Sequence, residues 1–179
     1  MKFIPTTKED QSKRSVISRF LNPGDFYFGD SNCQIHTVLG SCVAITLWHP
    51  ILHIGGMCHF ILPGRRMSDR VRHGVEELNG RYADEAIILF EEAMLKYGTN
   101  LSEYEAKIFG GSSMTLASRI QEEQMVGLRN IEAALKHLFE KEISLKFAHI
   151  GETGHRRIVF DVENGDVWVK YEPLKKKTP

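Results

Sequence analysis

Cys42 is the residue of this chain whose surroundings are best suited to covalent chemistry. It follows Gly40 and Ser41 and precedes the apolar run VAITLWHP. A turn at Gly40 could leave the amides of Ser41 and Cys42 pointing outward, as an oxyanion hole requires. A thiol nucleophile also needs a base, because the thiolate performs the attack. His59 lies on a later strand candidate, and pairing of neighbouring strands would bring it beside Cys42.

Packing and metal binding are the other interpretations of these residues. Free cysteines are among the most buried residue types, which is the role expected of Cys33 and Cys58 and which stays open for Cys42. Cys58 and His59 are neighbours in an extended run, so their side chains point to opposite faces and cannot both serve one site. The candidate zinc ligands lie in apolar strand candidates and lack the short paired spacing of structural zinc sites. They are Cys33, His36, Cys42, Cys58 and His59.

The composition describes one folded domain without net charge. The chain has 179 residues, in which 23 basic side chains balance 23 acidic ones. This balance produces no field that would drive binding to nucleic acid or an anionic membrane, so we expect a protein or small-molecule partner. The sequence shows neither an apolar run of about 18 residues nor a secretory signal, which predicts a cytoplasmic protein without membrane insertion. Cytoplasmic thiols stay reduced, so we expect no disulfide.

Strand candidates cluster at both ends of the chain, with helical patterns between them. They are DFYFGD, QIHTVLGS, VAITLWHP, LHIGGMCHFILP, AKIFGG, ISLKFAHIG and the hairpin RRIVFDVENGDVWVKYE. The first four carry nearly continuous apolar runs, which predicts strands covered on both faces. Strict alternation of strand and helix is absent, so the pattern favours a mixed α/β domain over a doubly wound nucleotide-binding fold.

Two amphipathic helices are predicted between the strand clusters. Apolar residues recur at helical spacing over residues 82–97, and Gly98 follows as a stop signal. The second helix is predicted to begin at Asn130 as its N-cap. Its apolar stripe consists of Leu128, Ile131, Leu135 and Leu138.

Turn signals and composition set the remaining boundaries. Gly110 and Gly111 predict a tight turn rather than a phosphate site, because the GGSSM segment lacks the lysine of a P-loop. Asn164 and Gly165 predict a two-residue hairpin turn. We predict a flexible arm over residues 1–22, one domain over residues 23–173 and a basic tail over residues 174–179.

Five ordered segments resemble the CheD family of chemoreceptor glutamine deamidases. They are TVLGSCVAITLWHP, IGGMCHFILPGR, AKIFGGSSM, VGLRNIEAALKHL and GETGHRRIVFDVENGDVWVK. The similarity runs in order from about residue 25 to residue 171, and Cys42 and His59 stand at the family's cysteine-to-histidine spacing. The resemblance implies an α/β fold, a single-domain layered sandwich of mixed β-sheets flanked by helices.

The resemblance also implies a reaction. Members of the family hydrolyse the side-chain amide of selected glutamines on methyl-accepting chemotaxis receptors, as protein-glutamine glutaminases, and some act on the methyl esters. Cys42 is then the nucleophile that forms a thioester, and His59 is the general base and acid, with no metal or organic cofactor required. The family's third residue is a threonine that orients the histidine. We predict Thr37 for this role, although His36 occupies the position six residues before Cys42 where the best-known arrangement has its threonine.

The implied partners are proteins. The substrate lies on cytoplasmic helices of chemoreceptors in their arrays, and in some bacteria a CheC-type phosphatase binds the active-site face. The polar segment 64–80 is predicted to be a long surface loop whose arginines either dock an acidic receptor surface or are simply solvated. These are Arg65, Arg66, Arg70 and Arg72. The alternative functions are a non-catalytic adaptor that binds receptors or a phosphatase, and a zinc-stabilised binding module.

Overall fold

The computed structural model describes residues 16–65, 77–114 and 121–174. Within these ranges the chain forms nine β-strands and two α-helices. The strands are β1 (Ile17–Phe20), β2 (Phe26–Gly29), β3 (Cys33–Leu39), β4 (Val43–His49), β5 (Ile54–Phe60), β6 (Glu105–Gly110), β7 (Ser144–Ile150), β8 (Gly154–Asp161) and β9 (Val167–Pro173). The helices are α1 (Ala83–Leu95) and α2 (Gln121–Glu140), and a 3-10 helix spans Leu101–Glu103. In the described part of the chain, no helix is long and apolar enough to cross a membrane.

The strands form two mixed sheets. The first has the order β1-β3-β8-β9 and the second the order β2-β5-β4-β6-β7. β1 runs parallel to β3, β6 runs parallel to β7, and the other neighbours are antiparallel. Both helices pack on the five-stranded sheet. The predicted α/β class with mixed sheets is confirmed.

Strands β4 and β5 are covered on both faces, as their continuous apolar runs predict. On one face Val43 and Ile45 pack with Phe90 of α1 in the cluster beneath the helices. On the other face Ala44 packs with Phe160 of the four-stranded sheet. A side chain placed on this second face therefore lies between the two sheets.

Strand β3 is covered on one face only, so the prediction of double coverage is wrong for it. Its burial alternates along the strand, with Ile35 and Thr37 fully buried and His36 and Val38 turned outward. The outward face also carries Trp168 of β9, which is 53% exposed. β3 belongs to the four-stranded sheet, and Val38, the apolar residue on its outward face, misled the sequence prediction.

Helix α1 agrees with its prediction, whereas α2 begins earlier than expected. α2 starts at Gln121, and Asn130 lies in its interior rather than at its N-cap. The buried face of α2 passes through Gly127, Asn130 and Ala134, while Leu128 is 53% exposed. Of the predicted stripe, Ile131 and Leu138 are buried in the core as expected, whereas Leu128 and Leu135 are exposed, so two positions of four are correct and the predicted start of the helix is wrong.

The hairpin of β8 and β9 has a longer connection than the predicted two-residue turn. The last pair in the register is Phe160 with Val167. Between the strands Val162 turns back into the core between the sheets, and its amide donates to the Cys33 carbonyl. Gly165 adopts a φ of +77° and closes the loop by donating to the Asp161 carbonyl. The tertiary contact of Val162 overrides the local turn signal.

The N-terminal segment enters the fold before the predicted domain start. β1 pairs with β3, and Leu21 is 4% exposed in the core between the sheets. The prediction of a flexible arm over residues 1–22 is therefore wrong for residues 17–21, which are anchored by strand pairing and by the burial of Leu21 although all four residues of β1 are exposed. Residues 1–15, most of the loop 64–80 and residues 175–179 of the predicted tail lie outside the described residues.

Candidate active site

The pairing of β4 with β5 places Cys42 and His59 on one face of the five-stranded sheet. Ala44 lies opposite His59 in the antiparallel register. Cys42 precedes Ala44 by two residues, so its side chain shares that face and lies diagonally from His59. Cys42 is half-buried at the margin of the cluster between the sheets, whereas His59 is 1% exposed. Cys42 is therefore partly exposed to solvent, whereas the imidazole is sheltered.

Thr37 fixes the orientation of the His59 ring across the two sheets. The Thr37 hydroxyl donates to the Leu21 carbonyl over 2.8 Å, and Oγ1 lies 2.8 Å from His59 Nδ1. Because the single hydroxyl proton is used on Leu21, Oγ1 accepts from Nδ1–H. The lone pair then resides on Nε2, which is buried without a hydrogen-bond partner among the described residues. This is the tautomer that a general base requires.

His36 lies on the opposite face of β3 from Thr37. It pairs with Phe20 on one side and with Val159 on the other, in a row that faces away from the five-stranded sheet. Of the two residues between which the sequence left a choice, Thr37 contacts His59 and His36 faces away from it.

Burial sets the resting charge of Cys42 and His59. It lowers the pKa of His59 from its ordinary 6.5 to about 4, against smaller opposing effects of the Leu21 carbonyl and Asp25. Burial also raises the pKa of the Cys42 thiol, which the residue's own backbone amide partly offsets. Both groups are therefore neutral at pH 7, and the pair rests as thiol and imidazole rather than as an ion pair.

The backbone around Cys42 is held from one side by three hydrogen bonds to the successive carbonyls of residues 40 to 42. The donors, in order, are Ser112 N (2.8 Å), Asn130 Nδ2 (3.2 Å) and Gly111 N (2.8 Å). A trans peptide directs its N–H opposite to its C=O, and the described residues contain no cis peptide. The Ser41 N–H therefore points away from Ser112, and the Cys42 N–H points away from Asn130 of α2. Two adjacent amides so directed can stabilise an oxyanion.

Gly40 serves close packing rather than an unusual backbone conformation. Its φ lies outside the left-handed region, contrary to the expectation from the sequence, and an added Cβ would press on the Met114 sulfur. Beside Cys42, Gly110 and Gly111 adopt left-handed φ values of 108° and 67°. The tight turn predicted there is wrong, because Gly110 ends β6 and the amides of Gly111 and Ser112 donate to the carbonyls of Cys42 and Gly40 instead of closing a turn. An added Cβ on Gly110 would overlap the Cys42 carbonyl oxygen. This glycine pair is thus fitted against the backbone of the candidate nucleophile.

The sequence prediction missed Arg156, a buried cation that contacts Ser112 beside the glycine pair. It is fully buried. It donates to Ser112 Oγ, His149 Nδ1 (2.7 Å) and Gly151 O (2.7 Å). The first contact holds Ser112, whose amide in turn holds the Gly40 carbonyl. The signal lay in the alternation of β8, where Arg156 shares the inward parity of Ile158.

The other cysteines lie away from this face or within the packing. Cys58 belongs to the cluster beneath the helices, and burial raises its pKa to about 12. Cys33 is 1% exposed in the cluster between the sheets. Over the ranges the structure describes, no group of three or more histidine, cysteine, aspartate or glutamate residues could hold a metal ion.

The predicted docking arginines are described only at Arg65. Its Nε lies 2.8 Å from Glu85 Oε1, both side chains are less than a tenth exposed, and the guanidinium lies 5.1 Å from the centre of the Tyr82 ring. An arginine engaged in this way is unsuited to receptor docking. Arg66, Arg70 and Arg72 lie outside the described residues.

The fold and these contacts define a class of protein, a candidate cysteine hydrolase built on an α/β sandwich. It presents a partly exposed cysteine on the same sheet face as a neutral imidazole, with directed backbone amides at the strand end that carries the cysteine.

Comparison with known proteins gives the family. The family model described as CheD chemotactic sensory transduction matches residues 61–171. The "Probable chemoreceptor glutamine deamidase CheD 3" of Dechloromonas aromatica (strain RCB) is 44% identical over 152 residues, covering 85% of this chain and 86% of the relative. The "Probable chemoreceptor glutamine deamidase CheD" of Pseudomonas savastanoi pv. phaseolicola (strain 1448A / Race 6) is 45% identical over 161 residues, covering 89% and 88%. This chain belongs to the CheD family.

The segment matched by the family model begins after the candidate site residues. Thr37, Cys42 and His59 precede residue 61, so their roles are argued from the contacts above and from the sequence resemblance. Among solved structures, the Bacillus licheniformis hypothetical protein YfiH has a TM-score of 0.38 and 10% identity, covering 70% of this chain and 50% of that chain.

Proposed function

We propose that this protein is a chemoreceptor glutamine deamidase, a protein-glutamine glutaminase that uses Cys42 as its nucleophile. The names of its relatives supply the substrate class. The observation that carries the proposal is the placement of Cys42 on the same sheet face as a His59 ring whose Nδ1–H is held by Thr37 and whose Nε2 has no hydrogen-bond partner among the described residues.

Acylation begins with a proton transfer. His59 Nε2 takes the proton of the Cys42 thiol as the sulfur attacks the side-chain carbonyl carbon of glutamine. The negative charge that develops on the carbonyl oxygen is stabilised by the amides of Ser41 and Cys42. As this intermediate collapses, the C–N bond breaks, and the Nε2–H proton passes to the nitrogen, which leaves as ammonia. Thr37 Oγ1 accepts from Nδ1–H throughout and stabilises the transient imidazolium.

Deacylation repeats the same steps with water. His59 Nε2 removes a proton from water as its oxygen attacks the thioester carbon, and the C–S bond then breaks. The sulfur recovers its proton from Nε2, and the product is glutamate. A methyl ester of glutamate fits the same sequence, with methanol leaving in place of ammonia.

We propose that the reaction takes place on cytoplasmic helices of methyl-accepting chemotaxis receptors and that the protein is recruited to receptor arrays. A CheC-type phosphatase that binds the active-site face would compete with the receptor. Arg66, Arg70 and Arg72 stay candidates for receptor docking.

Mass spectrometry of a receptor cytoplasmic fragment tests the proposed function. Incubation with the protein should convert chosen glutamines to glutamates, and Cys42→Ala should abolish the conversion. Cys33→Ala is the matched control, because it removes a buried thiol from the same cluster and should leave the conversion in place. Full conversion by the Cys42→Ala variant would overturn the assignment of the nucleophile.

A further inference from the structure

Asn130 is a fully buried polar residue in the interior of α2, beside the candidate site. Its Nδ2 donates to the carbonyl of Ser41 over 3.2 Å and to the carbonyl of Ile61 over 3.0 Å. Both acceptors are carbonyl oxygens, so the amide nitrogen must face them, and the two N–H groups of Asn130 are fully used. Ser41 precedes β4 and Ile61 follows β5, so one side chain ties together the strand ends that carry Cys42 and His59.

The hydrogen bond to Ser41 acts on the peptide that links Ser41 to Cys42. Because this peptide is trans, holding its carbonyl toward α2 directs the Cys42 N–H to the opposite side. This N–H is one of the two proposed oxyanion donors. The other two neighbouring peptides are held by the backbone amides of Gly111 and Ser112. Of the three contacts, the one from Asn130 is made by a side chain, so a substitution can remove that contact.

The local packing of α2 brings Asn130 within reach. Gly127 lies one turn earlier on the same face, where an added Cβ would stand 2.6 Å from the Gly111 carbonyl oxygen. The missing side chain lets α2 approach the backbone that follows β6. The side-chain oxygen Oδ1 of Asn130 is buried without a hydrogen-bond partner among the described residues, an arrangement that is unfavourable by itself. A residue kept in the helix for packing alone would be apolar.

We propose that Asn130 is a positioning residue that aims the Cys42 amide at the oxyanion, without acting on the thiol or the imidazole. The proposal rests on the proposed deamidase function. It predicts that loss of the Asn130 donor weakens stabilisation of the transition state while leaving the binding of substrate and the reactivity of the thiol in place.

Steady-state deamidation and alkylation of Cys42 by iodoacetamide test this proposal together. Alkylation needs the thiolate but no oxyanion hole. For Asn130→Ala and Asn130→Ser we expect kcat to fall by about 10- to 100-fold, with KM and the alkylation rate within about twofold of wild type. Leu138→Ala is the matched control, because it weakens packing of the same helix far from Ser41 and should keep kcat. Equal losses of kcat and alkylation rate, or a kcat at the wild-type level, would overturn the proposal.

Asn130→Asp provides a test in a variant of nearly unchanged shape. A charged carboxylate has no proton to donate to the Ser41 carbonyl, whereas the protonated acid has one. The ratio of variant to wild-type kcat should therefore rise as the pH is lowered, and a ratio independent of pH would contradict the positioning role. Wild type and Cys42→Ala are run in the same assay. Absence of any Cys42-dependent deamidation by wild type overturns the proposed function and this inference together, whereas a wild-type kcat in the Asn130 variants overturns the inference alone.

Discussion

Thr37 gives His59 one defined neutral form, although neither residue carries charge at pH 7. An unrestrained neutral imidazole exchanges its proton between the two ring nitrogens. The Thr37 hydroxyl has only its oxygen left for His59, because its proton is directed at the Leu21 carbonyl. The lone pair therefore stays on the nitrogen that can serve Cys42.

Substitution of Thr37 tests this tautomer control. Thr37→Val keeps the shape of the side chain but removes the acceptor for Nδ1–H, and we expect kcat to fall by about 10- to 100-fold. Thr37→Ser keeps the hydroxyl and should retain most of the activity. His36→Ala is the control on the outward face of the same strand, and its kcat should match wild type in the receptor-fragment assay. A lower kcat for His36→Ala than for Thr37→Val would assign the orienting role to His36.

The residue scale is where the sequence was most informative about the site. A glycine, a thiol and a histidine one hairpin away made a nucleophile possible at Cys42, and the ordered family motifs then favoured the catalytic role of Cys42 and His59 over packing. Thr37 could not be separated from His36, since the choice depends on the parity of β3. Asn130 was hidden for a different reason. An asparagine beside an apolar stripe reads as a helix cap, and its true partners lie 69 and 89 residues away in sequence.

At the scale of elements, the close approach of α2 to the segment after β6 brings Asn130 to the strand end that carries Cys42. The contact is made by Gly127 against the Gly111 carbonyl, so backbone meets backbone with no side chain between. Sequence patterns describe apolar faces well and close backbone approaches poorly. This explains why α1 was predicted with nearly correct limits, while α2 was given the wrong start and a stripe of which only Ile131 and Leu138 are buried.

Gly127→Ala tests the close approach. Glycine to alanine in a helix interior ordinarily stabilises a protein by about 0.5–1 kcal/mol. Here we expect the substitution to destabilise the protein, because the added Cβ would push α2 away from Gly111 and carry Asn130 with it. The melting temperature and kcat should both fall. Gly64→Ala is the control, since its added Cβ meets the Asp84 side chain only at 3.4 Å and should be neutral. A higher melting temperature for Gly127→Ala would refute the close contact.

On the scale of the whole molecule, the packing of two sheets makes His59 sensitive to acid. The residue is 1% exposed, and its pKa of about 4 lies below the 6.5 of an exposed histidine. Between these values the unfolded chain binds a proton that the folded chain excludes. Stability therefore rises with pH across this window and is lost as the pH falls through it.

The free energy of unfolding should accordingly decrease by about 3 kcal/mol from this residue as the pH is lowered from 6.5 to 4. Chemical denaturation at several pH values measures the decrease, and His59→Gln provides the reference, because glutamine does not titrate. The difference between the two proteins isolates the histidine from other groups. Parallel stability curves for wild type and His59→Gln would rule out the lowered pKa.

The hydrogen bond between Thr37 and His59 joins residues of different sheets, and this has a consequence for how activity is lost. Cys42 and His59 share one sheet and would stay together if the sandwich opened, yet the ring would no longer be held in its useful tautomer. The thiol would survive such an opening as an ordinary cysteine, without a prepared base. Catalytic competence in this chain is thus a reporter of tertiary assembly, and it should disappear at milder denaturant than the secondary structure does.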